Sequence, residues 1–404
     1  MGVPFMLTID SEKFKAHTGP KINYSDSDFS DQAFQIKNQP LLFEQNIKNQ
    51  TITCFTVNNN KAFFKTESSD YPFDIFAASF YLMTRYEEYL PHEKDIYGRY
   101  AYENTLAYHE GFLNLPLINI WVKHFAEKLK DKYPLLNIQF PDFRFEPTYD
   151  IDIAYCYKYK GLIRQIGGFL KSPAFERIQV LTGSVKDPFD CYDWLKQVHQ
   201  TYHLQPIYFF LVAEKNGIYD KHILPEKEAM WKLIKQHAKK YSVGLHPSWQ
   251  SGDNKFLLKA EKRQLNDMSD QSVKASRQHY IRFNLPEGYQ RLISAGITDD
   301  YSMGYGSING FRASVASPFY WYDLEKDENT ILRIHPFCFM DANSFYEQRQ
   351  NLQQTWAELQ HYSSVCKAVH GTLTSIWHNN FLGTATEFTG WKDLYEKFIV
   401  QVQQ

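Results

Sequence analysis

Two aspartates stand two residues apart in Thr148-Tyr149-Asp150-Ile151-Asp152, directly after an aromatic-rich run holding Phe143, Phe145 and Pro147. In a strand, residues two apart point to the same face, so Asp150 and Asp152 project side by side from a strand end. Carboxylates held that close repel each other unless a cation or a shared proton lies between them. One can then act as a general base while the other holds a metal. A turn with two solvated acids has the same spacing. The residues downstream bear on the choice.

Four further segments place polar side chains at the ends of candidate strands. Ser242-Val243-Gly244-Leu245 runs into His246-Pro247-Ser248-Trp249, and the run from Ser276 carries Arg277, His279 and Arg282. Thr298-Asp299-Asp300 closes another segment, and Thr374-Ser375-Ile376-Trp377 delivers His378-Asn379-Asn380. Taken singly, each has an ordinary explanation: a hydrogen-bonded histidine, an ion-paired arginine, a turn-capping aspartate. Taken together, an Asp and two His make the nitrogen and oxygen set that suits zinc or a similar divalent ion with an open position for water. Other motifs are absent. Gly304-Tyr305-Gly306-Ser307-Ile308-Asn309-Gly310 misses the GxGxxG spacing by one residue, Ser307 is not in GxSxG, and there is no Walker lysine or HExxH. These glycines are expected to shape a loop over the site, with Gly310-Phe311-Arg312 bringing an arginine to it.

The elements that must position these groups follow from periodicity. Strands are predicted at 143–150, 206–212, 242–245, 276–283, 296–301, 332–339 and 373–377, with helices at 190–200, 226–240 and 254–268. Strands alternating with helices imply a mainly parallel sheet. About seven such units predict an α/β fold, a distorted (β/α) barrel, with its chemistry at the strand ends. The first part of the chain reads differently. Short strands are predicted at 51–57 and 62–66, around the turn Asn58-Asn59-Asn60. Helices follow at 74–90, ended by Pro91, and at 115–132. Residues 1–138 are therefore expected to form a smaller α+β module ahead of a barrel at 141–404. Arg85, Glu87 and Glu88 read as a solvated helix face or an ion pair between the two parts.

Composition narrows the function. The chain has 404 residues, enough for more than one domain, and a formal net charge of -2, which favours neither nucleic acid nor a membrane surface. Hydrophobic content of 43% and charged content of 22% are those of a globular protein. Aromatics reach 17% and serve mainly as core, though aromatic planes also stack on sugar faces. Cys54, Cys156, Cys191, Cys338 and Cys366 form no CxxC pair, so neither a zinc ribbon nor a disulfide framework is indicated. No basic leader opens the sequence, and no apolar run approaches the ~20 residues of a membrane span. A cytoplasmic location is the expectation.

In order and strand placement these motifs resemble the NodB-type polysaccharide deacetylases, a family of metal-dependent carbohydrate esterases, over roughly residues 141–404. Thr148-Tyr149-Asp150-Ile151-Asp152 resembles the family's first motif, which makes Asp150 the base and Asp152 a metal ligand. Gly244-Leu245-His246-Pro247-Ser248 is similar to the second motif, which makes His246 a ligand. Ile376-Trp377-His378 resembles the last, whose histidine is the general acid. The segment before residue 138 resembles a module that precedes a bacterial subgroup of these proteins. Two departures stand out. Gln250 occupies the place of the second motif's other histidine, and the arginine motif reads Ser276-Arg277-Gln278-His279-Tyr280 instead of continuing into prolines. Either His279 supplies the missing imidazole from the next strand, or the metal site is weakened or lost.

The resemblance implies hydrolysis of an N-acetyl group on an amino-sugar unit of a glycan or its precursor, with a divalent metal, by preference zinc. Arg277 would orient Asp150, while Asp300, Arg312 and Trp249 would support the site or touch substrate. Two other classes stay open: a C–N hydrolase of a small cyclic amide in the same fold, and a non-catalytic glycan-binding or scaffold protein.

Overall fold

The computed structural model describes residues 2–29, 32–160 and 175–404. Its first third is built from short pieces. β1 (Ile22–Tyr24) and β2 (Phe34–Ile36) pair in parallel. β3 (Phe55–Val57) and β4 (Asn60–Ala62) form a hairpin through Asn58 and Asn59, both left-handed, a conformation asparagine tolerates. Asp74 caps the helix Ile75–Met83 by accepting from the Phe76 and Ala77 N–H groups. The predicted helix was longer, to residue 90. It stops because Arg85 turns left-handed (φ 57°), and a tight turn over Tyr86–Tyr89 follows. The helix Leu117–Lys132 buries Trp121, Phe125 and Leu129, the stripe that their four-residue spacing predicts.

One nine-stranded sheet carries the rest. In chain order its members are β5 (Arg144–Ile151), β6 (Ile207–Phe210), β7 (Ser242–Leu245), β8 (Ala275–Ser276), β9 (Asp299–Asp300), β10 (Phe319–Asp323), β11 (Glu328–Ile334), β12 (Phe339–Met340) and β13 (Thr372–His378). In space the order is β12-β13-β5-β6-β7-β8-β9-β11-β10. Every pairing is parallel except β10 with β11. Connecting helices include Tyr192–Thr201, Glu228–Ala238, Lys255–Ser269 and Leu352–Ala368.

Three sequence expectations are corrected. The predicted barrel is not closed: β10 and β12 are edges, and among the described residues no ladder joins them. The strand expected at 276–283 ends at Ser276 and gives way to a tight turn over His279–Ile281. The strand expected at 332–339 is two strands, β11 and β12, broken around Pro336, which has no N–H to give a ladder. β10 carried too little alternation to be predicted. No helix among the described residues is long and apolar enough to cross a membrane.

The first third packs on this sheet through buried charge. Glu88 lies between two arginines. It accepts from Arg312 Nε at 2.8 Å and Nη2 at 2.5 Å, and from Arg85 Nε at 2.8 Å. Arg85 also donates to the Arg312 carbonyl. All three side chains are buried. Burial would raise the Glu88 carboxyl, but the two guanidinium groups outweigh it and hold the pKa at about 2. Arg312 is thereby removed from the substrate role expected of it: its guanidinium is committed to Glu88 and to the Gly304 carbonyl.

Removing one partner of a buried ion pair strands the other. Glu88→Ala is expected to lose about 3–5 kcal/mol of stability in urea unfolding. A loss below about 1 kcal/mol would show that the network is dispensable. Because the folded pKa is depressed, the Glu88 contribution is fully present above pH ~4.5 and fades as pH falls toward about 2. The gap between wild type and Glu88→Gln should therefore narrow over that range.

Candidate metal centre and active site

The parallel register converges the candidate residues at the carboxyl ends of adjacent strands, where open α/β sheets bind ligands. Asp150 in β5 sits opposite His378 in β13. Leu245, the last residue of β7, pairs with Ser276 of β8, so His246 and Arg277 emerge side by side. Asp152 follows β5, and His279 follows β8 by one turn.

Three imidazoles close on Asp152. Its Oδ1 lies 3.1 Å from His246 Nε2, and its Oδ2 lies 3.4 Å from His279 Nε2 and 3.7 Å from His378 Nε2. Asp150 Oδ2 is 3.9 Å from His246 Nε2. Asp152, His246 and His279 each offer a ligand atom, all within 4.8 Å of one another. Asp152 keeps 28% of its side chain exposed while both histidines are buried, so the centre opens to solvent past Asp152.

The far nitrogen of each imidazole is committed. His246 Nδ1 lies 2.6 Å from the Arg277 carbonyl, which can only accept, so Nδ1 donates to it and Nε2 is left facing the centre. His279 Nδ1 lies 3.0 Å from Asp220 Oδ1, and His378 Nδ1 lies 2.6 Å from Asp341 Oδ1. Such backing partners fix the tautomer and aim of metal-ligating histidines. Asp152 Oδ1 is buried with no hydrogen-bond donor, although His246 Nε2 is next to it. Asp152 Oδ1 and His246 Nε2 thus face each other at 3.1 Å, an arrangement that a shared proton or a metal cation resolves. The donor set, one carboxylate and two imidazoles, suits zinc. A metal fits these three residues.

Electrostatics agree. Burial would raise the Asp152 carboxyl, but the imidazoles of His279 and His246 hold it well below the ordinary range. Burial would lower His279, yet Asp152 and Asp220 raise it to about 9. Burial likewise opposes charge on His378, but Asp341, with Asp152 and Asp150, raises it to about 10. Without a cation, the centre therefore binds protons.

Arg277 is fully buried and holds Asp150: Nη1 donates to Asp150 Oδ1 at 2.7 Å and Nε to the Tyr301 carbonyl at 3.0 Å. Its guanidinium lies 4.4 Å above the Phe209 ring. Gly244 makes room for that ring, since a side-chain carbon there would collide with it. Asp300 is buried and accepts from the Ser302 N–H and hydroxyl; burial raises its carboxyl to about 6. It supports the strand end without reaching the centre's nitrogens.

Two residues lie elsewhere than the sequence suggests. Trp249 is not an open stacking surface, because Tyr219 stacks on it (3.9 Å between ring centroids) and the Arg282 guanidinium lies 4.4 Å from its ring centroid. Gln250 is exposed, whereas His246 and His279 are buried. Sequence reasoning missed Asp220 and Asp341. Asp341 follows the apolar pair of β12, the same cue that marked Asp150, but the single strand expected at 332–339 hid it. Asp220 lies in an aperiodic loop and left no signal.

A family of unknown function (DUF7033) matches residues 1–134. No curated protein matches the chain. Solved structures with a similar trace include a protein assigned as a polysaccharide deacetylase from Mycobacterium smegmatis. It is 11% identical, with a TM-score of 0.43, over 66% of this chain and 86% of that one. A protein assigned likewise from Pseudomonas aeruginosa PAO1 is 10% identical, with a TM-score of 0.41, over 65% and 85%. A polysaccharide deacetylase from Bacillus cereus is 11% identical, with a TM-score of 0.33, over 64% and 87%.

Since His279 holds a proton below about pH 9, a metal must displace it. Zinc binding to the full chain at pH 7 is expected to release about one proton. Affinity should rise about tenfold per pH unit below that pKa. Calorimetry in buffers of different ionisation enthalpy measures the release. His279→Ala should abolish it along with tight binding, and intact binding in that variant would remove His279 from the ligand set.

Proposed function

We propose that the chain is a metal-dependent hydrolase that removes N-acetyl groups from amino-sugar units of a glycan or glycan precursor. The observation that carries this reading is the asymmetric surround of Asp152. Two imidazoles point their Nε2 atoms at it, an arginine-held carboxylate flanks one side, and a carboxylate-backed imidazole flanks the other. Amide hydrolysis needs those roles: a ligand set, a base and an acid. The order of the motifs in the sequence supports the same reading.

Asp152, His246 and His279 would hold the cation. Bound there, a divalent metal lowers the pKa of water and polarises an acyl oxygen. Asp150 takes the proton of the attacking water. Arg277 occupies one of its oxygens, leaving Oδ2 turned toward the centre. His378 holds its proton against Asp341 and offers it from Nε2 to the departing amine nitrogen. Base and acid occupy paired positions on neighbouring strands, so they flank one scissile bond from two sides.

Acetate release from acetylated amino-sugar oligomers tests the proposal. Asp150→Asn is expected to keep its metal and lose ~10²–10⁴-fold in turnover, the range typical of general-base loss. Wild-type turnover in Asp150→Asn would exclude Asp150 as the base. His378→Ala should also lose turnover while retaining metal, whereas His246→Ala should lose the metal itself. Equal metal loss in both histidine variants would show that acid and ligand have been confused.

A further inference from the structure

The loop 94–100 belongs to the segment matched by the family of unknown function, yet it ends against the candidate metal centre. It is a stiff loop. Asp95 accepts from the Tyr97 and Arg99 N–H groups and from Arg99 Nε at 2.6 Å. Lys94 and Tyr100 bridge its base. Asp95 thus aims Arg99 away from its own segment. Arg99 is buried, and its Nη1 donates to the Tyr280 carbonyl at 2.9 Å. Tyr280 follows His279 directly. Both Tyr280 (φ 59°) and Ile281 (φ 54°) are left-handed, a conformation that side-chain-bearing residues hold only where the surroundings enforce it.

Other contacts reinforce the grip. Tyr97 packs on Tyr280 at 5.3 Å between centroids, and Tyr280 packs on the His279 ring at 4.7 Å. Gly306 leaves the space that Arg99 occupies; a side-chain carbon there would collide with Arg99 Nη1 and lie 2.7 Å from the Tyr280 carbonyl oxygen. The glycine loop at 304–310, expected from the sequence to cover the site, is instead mostly buried and makes room for this arginine.

We propose that the amino-terminal segment completes the metal centre: Arg99, aimed by Asp95, fixes the backbone after His279 and so places its Nε2 as the third ligand. Arg99 is a positioning residue that touches neither metal nor substrate. The inference rests on the metal-centre reading above and assigns a role to a segment that otherwise has none.

Zinc affinity of the full chain, measured by competition with a chromophoric chelator, tests it. Arg99→Ala is expected to bind zinc about 10–100-fold more weakly, the range seen when groups behind metal ligands are removed. Arg99→Lys, which keeps a donor but loses the fork, should recover part of that affinity. Gly306→Ala deletes none of these groups yet displaces Arg99, and should weaken zinc binding as well. With cobalt in place of zinc, the visible absorption of Arg99→Ala should shift, because the coordination geometry changes. Lys123→Ala, which removes a contact from the same segment to the Ala368 carbonyl, should leave affinity and spectrum unchanged. Wild-type affinity and spectrum in both Arg99→Ala and Gly306→Ala would overturn the inference while leaving the metal centre intact. Failure of wild type itself to bind zinc or cobalt would overturn both.

Discussion

One unpartnered oxygen organises the end of the sheet. Asp152 Oδ1 is buried 3.1 Å from His246 Nε2, and among the described residues it has no hydrogen-bond partner. An unpaired carboxylate oxygen in that position is unfavourable in a low-dielectric setting. The Arg277 carbonyl holds His246 Nδ1 as a donor and so keeps Nε2 aimed at Asp152. The chain therefore stabilises an arrangement that is complete only with a positive charge at its centre.

Strand length serves the same end. β8 and β9 have two residues each, far shorter than β5 or β13. If β8 continued in register, His279 would lie on the far face from Arg277's neighbour Gln278 and further along the sheet. Instead the chain turns tightly after Arg277, and the His279 ring comes within 4.9 Å of the His246 ring.

Much of this was legible in the sequence. Asp150, Asp152, His246 and His378 each follow an apolar run with a clear strand signature, and parallel pairing places their ends together. The helices that connect them start and stop within a few residues of their predicted limits, as with Asn254 capping Lys255–Ser269. What could not be read depended on contacts distant in sequence. Asp220 and Asp341 matter only through the histidines they face. Arg312 looked available until Glu88, 224 positions away, claimed it. Trp249 looked like a sugar platform until Tyr219 and Arg282 packed against it. Barrel closure failed for a related reason: edge pairing is decided by which strands meet, and no local pattern encodes that.

The buried Glu88 has a bearing on how the two parts of the chain depend on each other. The change in strand and helix pattern predicts two units with a join near residue 140. A buried ion pair crosses that join. Arg312 lies in the second stretch and its counter-charge in the first, with both shielded from water. Residues 141–404 without their predecessor would leave the Arg312 guanidinium without the anion it pairs with here. The two stretches, distinct in sequence pattern, share one buried ion pair, so neither carries the whole of its own charge balance.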